Sequence, residues 1–84
     1  MSATELCRAI IRIEGAIIDV EACQRVRDAH PAAYGVARAW FLGWARPTPK
    51  AAPALAALRD ALNDERERAL LAMLRRQGID PNVR

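Results

Sequence analysis

The side chains best suited to chemistry in this 84-residue chain are two cysteines and one histidine: Cys7, Cys23 and His30. Thiolates and imidazoles act as nucleophiles, bases and zinc ligands when they lie close together. The two cysteines have neither the short spacing of a zinc-binding pair nor a histidine partner. On one continuous helix they would lie about 24 Å apart, which is beyond disulfide reach. We therefore expect two reduced thiols that serve packing.

No other pattern in the chain indicates catalysis. His30 precedes Pro31 and is typical of a turn or a helix cap, since no carboxylate or second histidine is placed to orient it as a base. The four glycines are scattered and form no phosphate-binding loop. The acids of residues 60–67 alternate with arginines, which is typical of a solvated helix face. We expect no enzyme activity, no metal site and no cofactor.

Charge is distributed unevenly along the chain. The formal net charge is +3, and residues 29–53 carry Arg38, Arg46 and Lys50 without any acid. No apolar run approaches the ~20 residues of a membrane span, and no secretory signal is recognisable. We expect a cytoplasmic protein that does not bind membranes. The abundance of arginine and alanine suggests a bacterial or phage source.

The first predicted helix covers residues 3–27. Ser2 and Glu5 form a capping box at its start. Apolar residues then recur at spacings of three and four, which indicates a buried stripe; its members are Leu6, Ile10, Ile13, Ile17 and Val20. Between this stripe and a second one lies Glu14, where it could pair with an arginine or mark a solvated edge.

A second apolar stripe on the same predicted helix includes Ile11 and Ile18. Together the two stripes are too wide for one partner helix to cover. We therefore expect a homodimer with Ile11 and Ile18 in its interface.

The second predicted helix covers residues 31–45 and holds every aromatic residue of the chain. A helical projection places all four rings on one face of ~120°, which predicts that the rings belong to the core; they are Tyr34, Trp40, Phe41 and Trp44. Small residues recur every four positions on another face, which predicts close approach of a second helix; they are Gly35, Ala39 and Gly43.

Between these faces runs an outward strip that continues into a proline-containing connector. Its members are Arg38, Leu42, Arg46 and Lys50. Arginine is enriched in interfaces, and a stiff backbone loses little entropy on binding. We predict that these four residues contact a partner.

The third predicted helix covers residues 53–77 and continues through Asn63 and Asp64, although a second capping box could begin there. Helical spacing predicts one apolar stripe along it; its members are Leu55, Leu58, Leu62, Ala69 and Met73. Gly78 is predicted to end it in the left-handed conformation, with Ile79 folding back on the last turn. Residues 80–84 should be a flexible tail. The expected architecture is all-α: a small three-helix bundle in a single domain over residues 1–79, with two long antiparallel helices and one short aromatic helix.

These features together favour a non-catalytic protein-binding module, a small prokaryotic or phage regulator or inhibitor that acts by steric contact with a protein partner. The alternative is a basic nucleic-acid-binding regulator. The alternative is disfavoured because only three cations are unbalanced by acids, and a duplex-binding domain usually gathers more on one surface.

Overall fold

The computed structural model describes residues 1–78, and all regular structure in this part of the chain is helical. Four α-helices follow one another: α1 (Ala3–Ala16), α2 (Val20–Ala29), α3 (Pro31–Phe41) and α4 (Ala52–Arg76). A 3-10 helix, Pro49–Ala51, leads into α4. The predicted all-α class is confirmed. The predicted count of three helices is wrong, because the first predicted helix is divided into α1 and α2.

The helices α1 and α4 lie side by side and run in the same direction. Before α1 begins, the sulfur of Met1 lies 3.6 Å from a guanidinium nitrogen of Arg59. After α1 ends, Ile18 shares a surface pocket with Ala69, well over two turns further along α4. The predicted antiparallel arrangement of the two long helices is therefore wrong.

The helix α2 returns along α4 in the opposite direction. Its middle is tied to α4 by an ion pair of 3.3 Å between Arg25 and Glu65. Its end, at His30, shares a pocket with Ala61. The chain therefore reverses direction between α1 and α2, before α3 begins. This early reversal allows α4 to run parallel to α1.

The core lies between the inner face of α1 and the first half of α4. Its large members each bury almost the whole side chain, which contributes about 1.5–3 kcal/mol apiece; they are Leu6, Ile10, Leu55, Leu58 and Leu62. The helix α3 adds only Ala33 and Ala37 as buried residues. The apolar stripes predicted for the two long helices are confirmed at these positions.

The interruption between α1 and α2 has a local cause. Ile17 ends α1 with an extended backbone, φ −78° and ψ 126°, and Asp19 caps α2. The carboxylate of Asp19 accepts hydrogen bonds from the backbone N–H groups of Glu21 at 2.9 Å and Ala22 at 3.2 Å. The β-branched residues Ile18 and Val20 flank Asp19 and favour an extended backbone. Asp19 is therefore more stable as the N-cap of α2 than in the interior of a continuous helix.

Two sequence predictions fail at this break. The continuous helix over residues 3–27 is wrong, and the stripe assigned to its face does not extend to Val20, which is 77% exposed. The predicted capping box at the start is confirmed, since the N–H of Glu5 donates to Ser2 Oγ at 3.2 Å and the N–H of Ser2 donates to Glu5 Oε2 at 3.0 Å.

A glycine in the left-handed conformation ends α3. Gly43 has φ +75°, its N–H donates to the carbonyl of Trp40 at 3.0 Å, and the N–H of Trp44 donates to the carbonyl of Ala39 at 2.9 Å. These two bonds form a Schellman motif. The second predicted helix, expected to reach residue 45, therefore ends earlier, and Trp44 lies beyond it.

The helix α4 is continuous, as predicted, and begins with Pro53 in its first turn. Gly78 follows its end with φ +78°, which confirms the predicted left-handed cap. The contact predicted for Ile79 and the tail predicted for residues 80–84 lie outside the described residues. Neither α4 nor any other helix of residues 1–78 is both long and apolar enough to cross a membrane.

The cap at Asp19 should set the stability of the α1–α2 turn. Asp19→Ala leaves two backbone donors without their partner and should lower the free energy of unfolding by about 1 kcal/mol. Asp19→Asn retains a capping oxygen and should change it little. Urea unfolding followed by circular dichroism measures both, and equal loss in the two variants would contradict a capping role.

Candidate protein-binding groove

A groove opens on the surface where α1, α2 and α3 meet, and we call it the α1–α3 groove. Its volume is about 610 Å³, within the range of ~300–1,000 Å³ typical of ligand pockets. Three helices supply its walls, and the lining residues are Ile11, Glu14, Gly15, Arg27, Tyr34, Arg38, Phe41 and Leu42. Apolar and charged side chains therefore meet in one concave surface.

An ion pair and an aromatic ring hold the three walls together. Arg27 of α2 pairs with Glu14 of α1, and both side chains are half-buried. The guanidinium carbon of Arg27 lies 4.9 Å from the centroid of the Tyr34 ring on α3, a cation–π distance. We call this contact the Glu14–Arg27–Tyr34 junction.

Charge within the junction is balanced. Burial by itself lowers the pKa of Arg27, but the hydrogen bond and the negative charge of Glu14 outweigh burial, so the pKa lies above its ordinary value. Arg27 therefore stays cationic and neutralises Glu14. Its Nε is buried and has no hydrogen-bond partner among residues 1–78, so the Tyr34 ring and the Glu14 carboxylate are the groups that compensate this guanidinium.

Three apolar side chains project from the C-terminal end of α3, and we call them the aromatic tip. Phe41 is 61% exposed, Leu42 is 42% exposed and Trp44 is 76% exposed. Phe41 and Leu42 also line the α1–α3 groove. The aromatic tip therefore extends an apolar surface from the groove into solvent.

The prediction that all four rings belong to the core is only partly confirmed. Tyr34 and Trp40 are half-buried and pack against the core. Phe41 and Trp44 are exposed, because α3 ends at Phe41 and the turn at Gly43 carries Trp44 away from the helical face. The central positions of that face are occupied by alanines, which bring α3 close to α1 and α4.

The close helix contact predicted for Gly35, Ala39 and Gly43 is wrong. A Cβ atom built on Gly35 or on Gly43 would meet no atom within 4 Å. Gly35 and Ala39 instead line a surface pocket of about 360 Å³. Pro47 and Thr48 of the connector line the same pocket.

The structure divides the predicted contact strip between two places. Arg38 and Leu42 line the α1–α3 groove, whereas Arg46 borders the pocket beside Gly35 and Lys50 lies in the 3-10 helix. All four side chains are exposed. Within residues 1–78, none of the three cations forms an ion pair with a carboxylate.

The two residues predicted for a dimer interface also lie apart. Ile11 is half-buried in the α1–α3 groove. Ile18 lies in the turn after α1 and is 63% exposed. Their common stripe required one continuous helix, and the break after α1 removes it. The homodimer itself stays a prediction.

Both cysteines are free and buried, as predicted. The reasoning from one continuous helix does not apply, since Cys7 lies on α1 and Cys23 on α2. Burial raises the pKa of Cys7, and burial together with the charge of Glu14 raises the pKa of Cys23. Both thiols are therefore protonated at neutral pH, which suits packing rather than nucleophilic attack.

Sequence reasoning missed the Glu14–Arg27–Tyr34 junction, although it allowed Glu14 an arginine partner. The signal was the position of Glu14 between two apolar stripes, where an uncompensated carboxylate would be costly. The choice of Arg27 could not be read from the sequence, because it depends on the reversal of the chain at Asp19.

No protein-family model matches this chain, and comparison with curated proteins and with solved structures finds no significant match. Over residues 1–78, the fold and site define an all-α protein of four helices with an exposed groove lined by apolar and charged side chains. Among residues 1–78, no group of three or more His, Cys, Asp or Glu side chains is placed to hold a metal ion.

Removing Glu14 should destabilise the whole fold. Glu14→Ala leaves the half-buried guanidinium of Arg27 without its carboxylate, and we expect the free energy of unfolding to fall by about 2 kcal/mol. Asp60→Ala is the matched control, because Asp60 pairs with Arg59 at the surface, where such pairs contribute about 0–1 kcal/mol. Thermal and urea unfolding measure both, and equal effects would contradict the junction.

The two tryptophans should differ in their contact with water. Trp44 is exposed and Trp40 is half-buried, so Trp40→Phe should leave a red-shifted emission that acrylamide quenches strongly. Trp44→Phe should leave a bluer emission that acrylamide quenches weakly. Similar quenching in the two variants would mean that the aromatic tip is covered in solution.

Proposed function

We propose that this protein is a non-catalytic protein-binding module, a cytoplasmic regulator or inhibitor that acts by covering a surface of a protein partner. The contact surface is the α1–α3 groove together with the aromatic tip. The observation that carries the proposal is the exposure of three large apolar side chains, Phe41, Leu42 and Trp44. They lie within four residues of one another at the end of α3, and the fourth residue is Gly43.

Exposed aromatic side chains at one site are unusual on a surface that contacts only water. Single exposed apolar residues are normal, but a contiguous cluster indicates a contact site. Tryptophan and phenylalanine are also enriched in interface cores, where each buries a large area at a small cost in side-chain entropy. The groove beside the aromatic tip supplies the concave half that a projecting side chain of a partner can fill.

The charges around the groove favour an acidic partner surface. Arg38 lies on the groove wall and is not paired within the described residues, while Glu14 is already neutralised by Arg27. Arg46 and Lys50 add positive charge outside the groove, beside the pocket at Gly35 and in the 3-10 helix. An unpaired cation beside an apolar centre increases the rate of encounter with a negative surface and selects against basic ones.

The test begins with a displayed library of random peptides, from which binders are selected on the wild-type protein. The selected peptide is then measured against Phe41→Ala and Gly15→Phe. Phe41→Ala removes an apolar contact, and Gly15→Phe fills the groove, where a Cβ on Gly15 meets no atom within 4 Å. Each variant should weaken binding by at least about tenfold.

Two alanine variants of glycines provide matched controls. Gly15→Ala adds only a methyl group at the same position and should retain binding, and it should also stabilise α1 by up to about 1 kcal/mol. Gly35→Ala lies on another face of α3 and should leave peptide binding unchanged while stabilising α3 by a similar amount. Peptides that bind the Gly15→Phe and Phe41→Ala proteins as tightly as wild type would refute the groove as the contact surface.

A specific observation also supports the alternative, a nucleic-acid-binding regulator. The exposed rings of Phe41 and Trp44 could stack on unpaired bases, with Arg38, Arg46 and Lys50 near the phosphates. Three phosphate contacts predict a slope of about −2 for log K against log salt on a single strand. Fluorescence anisotropy with a labelled oligothymidylate decides the point: salt-dependent binding that Trp44→Ala abolishes would favour the alternative over a protein partner.

A further inference from the structure

The second half of α4 carries an apolar run that this chain buries only in part. Residues 69–74 read ALLAML, and six consecutive apolar residues cover the full circumference of a helix. From residue 63 to residue 78 no side chain is buried, whereas Leu55, Leu58 and Leu62 of the first half are all in the core. An apolar segment of this kind requires a cover on more than one side.

The chain itself covers one side of this segment. The turn after α1 lies beside Ala69, Ala72 and Arg76, and the core line of α4 passes through Leu62. At about 100° per residue, Leu71 lies about 180° from Leu62 and Leu74 about 120° from it. Leu71 and Leu74 are half-buried in the single chain, and the projection places them as an apolar centre on the side of α4 opposite to Leu62.

Charged residues flank this apolar centre in a self-complementary order. Glu67 lies four residues before Leu71 and Arg75 lies four residues after it, so both are on the same face of α4 as Leu71. Neither side chain forms an ion pair within the part of the chain that the structure describes. The line through Glu67, Leu71 and Arg75 thus reads acidic, apolar and basic along the helix. Arg68 lies on the same side of α4, but its charge is paired with Glu65 at 3.3 Å.

We infer that this face binds a second copy of the chain, with the two α4 helices antiparallel and Leu71 next to a two-fold axis. In that arrangement Glu67 of each copy lies opposite Arg75 of the other, so the axis generates the ion pair twice. A parallel pair would instead place Glu67 against Glu67 and Arg75 against Arg75. The antiparallel pair also sets the two helix dipoles in opposition, which is the favourable order.

This interface differs from the one predicted by sequence and is separate from the α1–α3 groove. Ile18 can lie at its edge, since it shares a pocket with Ala69 and Arg76. Ile11 lies in the groove and is not part of it. The dimer therefore leaves the partner-binding surface of each copy accessible, and it would present two such surfaces to a partner.

Sedimentation equilibrium over a wide concentration range tests the interface. The wild-type protein should give twice its chain mass of 9.3 kDa at high micromolar concentration. Leu71→Glu places two carboxylates at the two-fold axis and should shift the association by at least a hundredfold toward monomer, with the helical circular dichroism signal unchanged. Ile11→Ser and Phe41→Ala are controls that should leave the dimer intact.

A charge-exchange cycle tests the orientation. Glu67→Arg alone and Arg75→Glu alone should each weaken the dimer by about tenfold or more, because each replaces two attractive pairs with two repulsive ones. The double variant restores opposite charges across the axis and should return to wild-type affinity. In a parallel dimer, neither single variant would weaken association.

Three results would overturn the proposal. One is a wild-type monomer at every concentration, and another is a dimer that Leu71→Glu leaves intact. The third is a dimer that Ile11→Ser or Ile18→Ser dissociates while Leu71→Glu does not, which would return the interface to α1 and the turn after it.

Discussion

The Glu14–Arg27–Tyr34 junction is the contact on which the arrangement of the first three helices depends. The helices α1, α2 and α3 contribute few buried large side chains to one another: α2 adds Val26 and α3 adds only alanines to the main core. Apolar burial alone therefore specifies their relative positions weakly. A carboxylate from α1, a guanidinium from α2 and a ring from α3 must be in register for the ion pair and the cation–π contact to form, because a half-buried charge without a partner is costly. The junction thus fixes the relative positions of α1, α2 and α3. Its three residues also line the groove.

Chain reversal at Asp19 decides which surfaces the protein presents. Had the first helix continued through Asp19, Arg27 would lie far along the helix axis from Glu14, and α3 would begin beyond the core. With the reversal, α1 and α4 run parallel, α2 lies antiparallel to both, and α3 forms one wall of the groove. The Schellman turn at Gly43 then ends α3 before its last aromatic residue. Two local motifs of a few residues each, an aspartate cap and a glycine terminator, therefore determine where Phe41 and Trp44 meet solvent.

The parts of the fold that were predictable from sequence are those governed by helical periodicity and by strong caps. The stripe of Leu55, Leu58 and Leu62, the box at Ser2 and the end at Gly78 all follow from patterns that need no tertiary information. The failures in helix bounds, and in the residues that follow them, share one cause. The apolar period continues through residues 17–20 and 42–45, where a cap and a left-handed glycine compete with it locally. The failed contact at Gly35 is separate, because its spacing is helical but no second helix packs against it within the described residues. A projection assumes one continuous helix, so an error in its length places every residue beyond the end on the wrong face. The contact strip was predicted on that basis, and only Arg38 and Leu42 fall on the groove.

The uneven distribution of buried residues along α4 relates the two proposed surfaces to each other. A chain of this size buries only ~60% of the surface that its unfolded form exposes, and here the buried part is concentrated in the first half of α4. The second half could have ended at residue 65 without loss to that core, yet it continues for three turns with an apolar run. Extending a helix into solvent with leucines exposes apolar area without compensation unless something covers it. Association through this half would stabilise each copy by mass action, and it would do so at the end of the molecule away from α3. A small core and an accessible groove would then be compatible, because the second copy would supply the stability that a larger interior provides in other proteins.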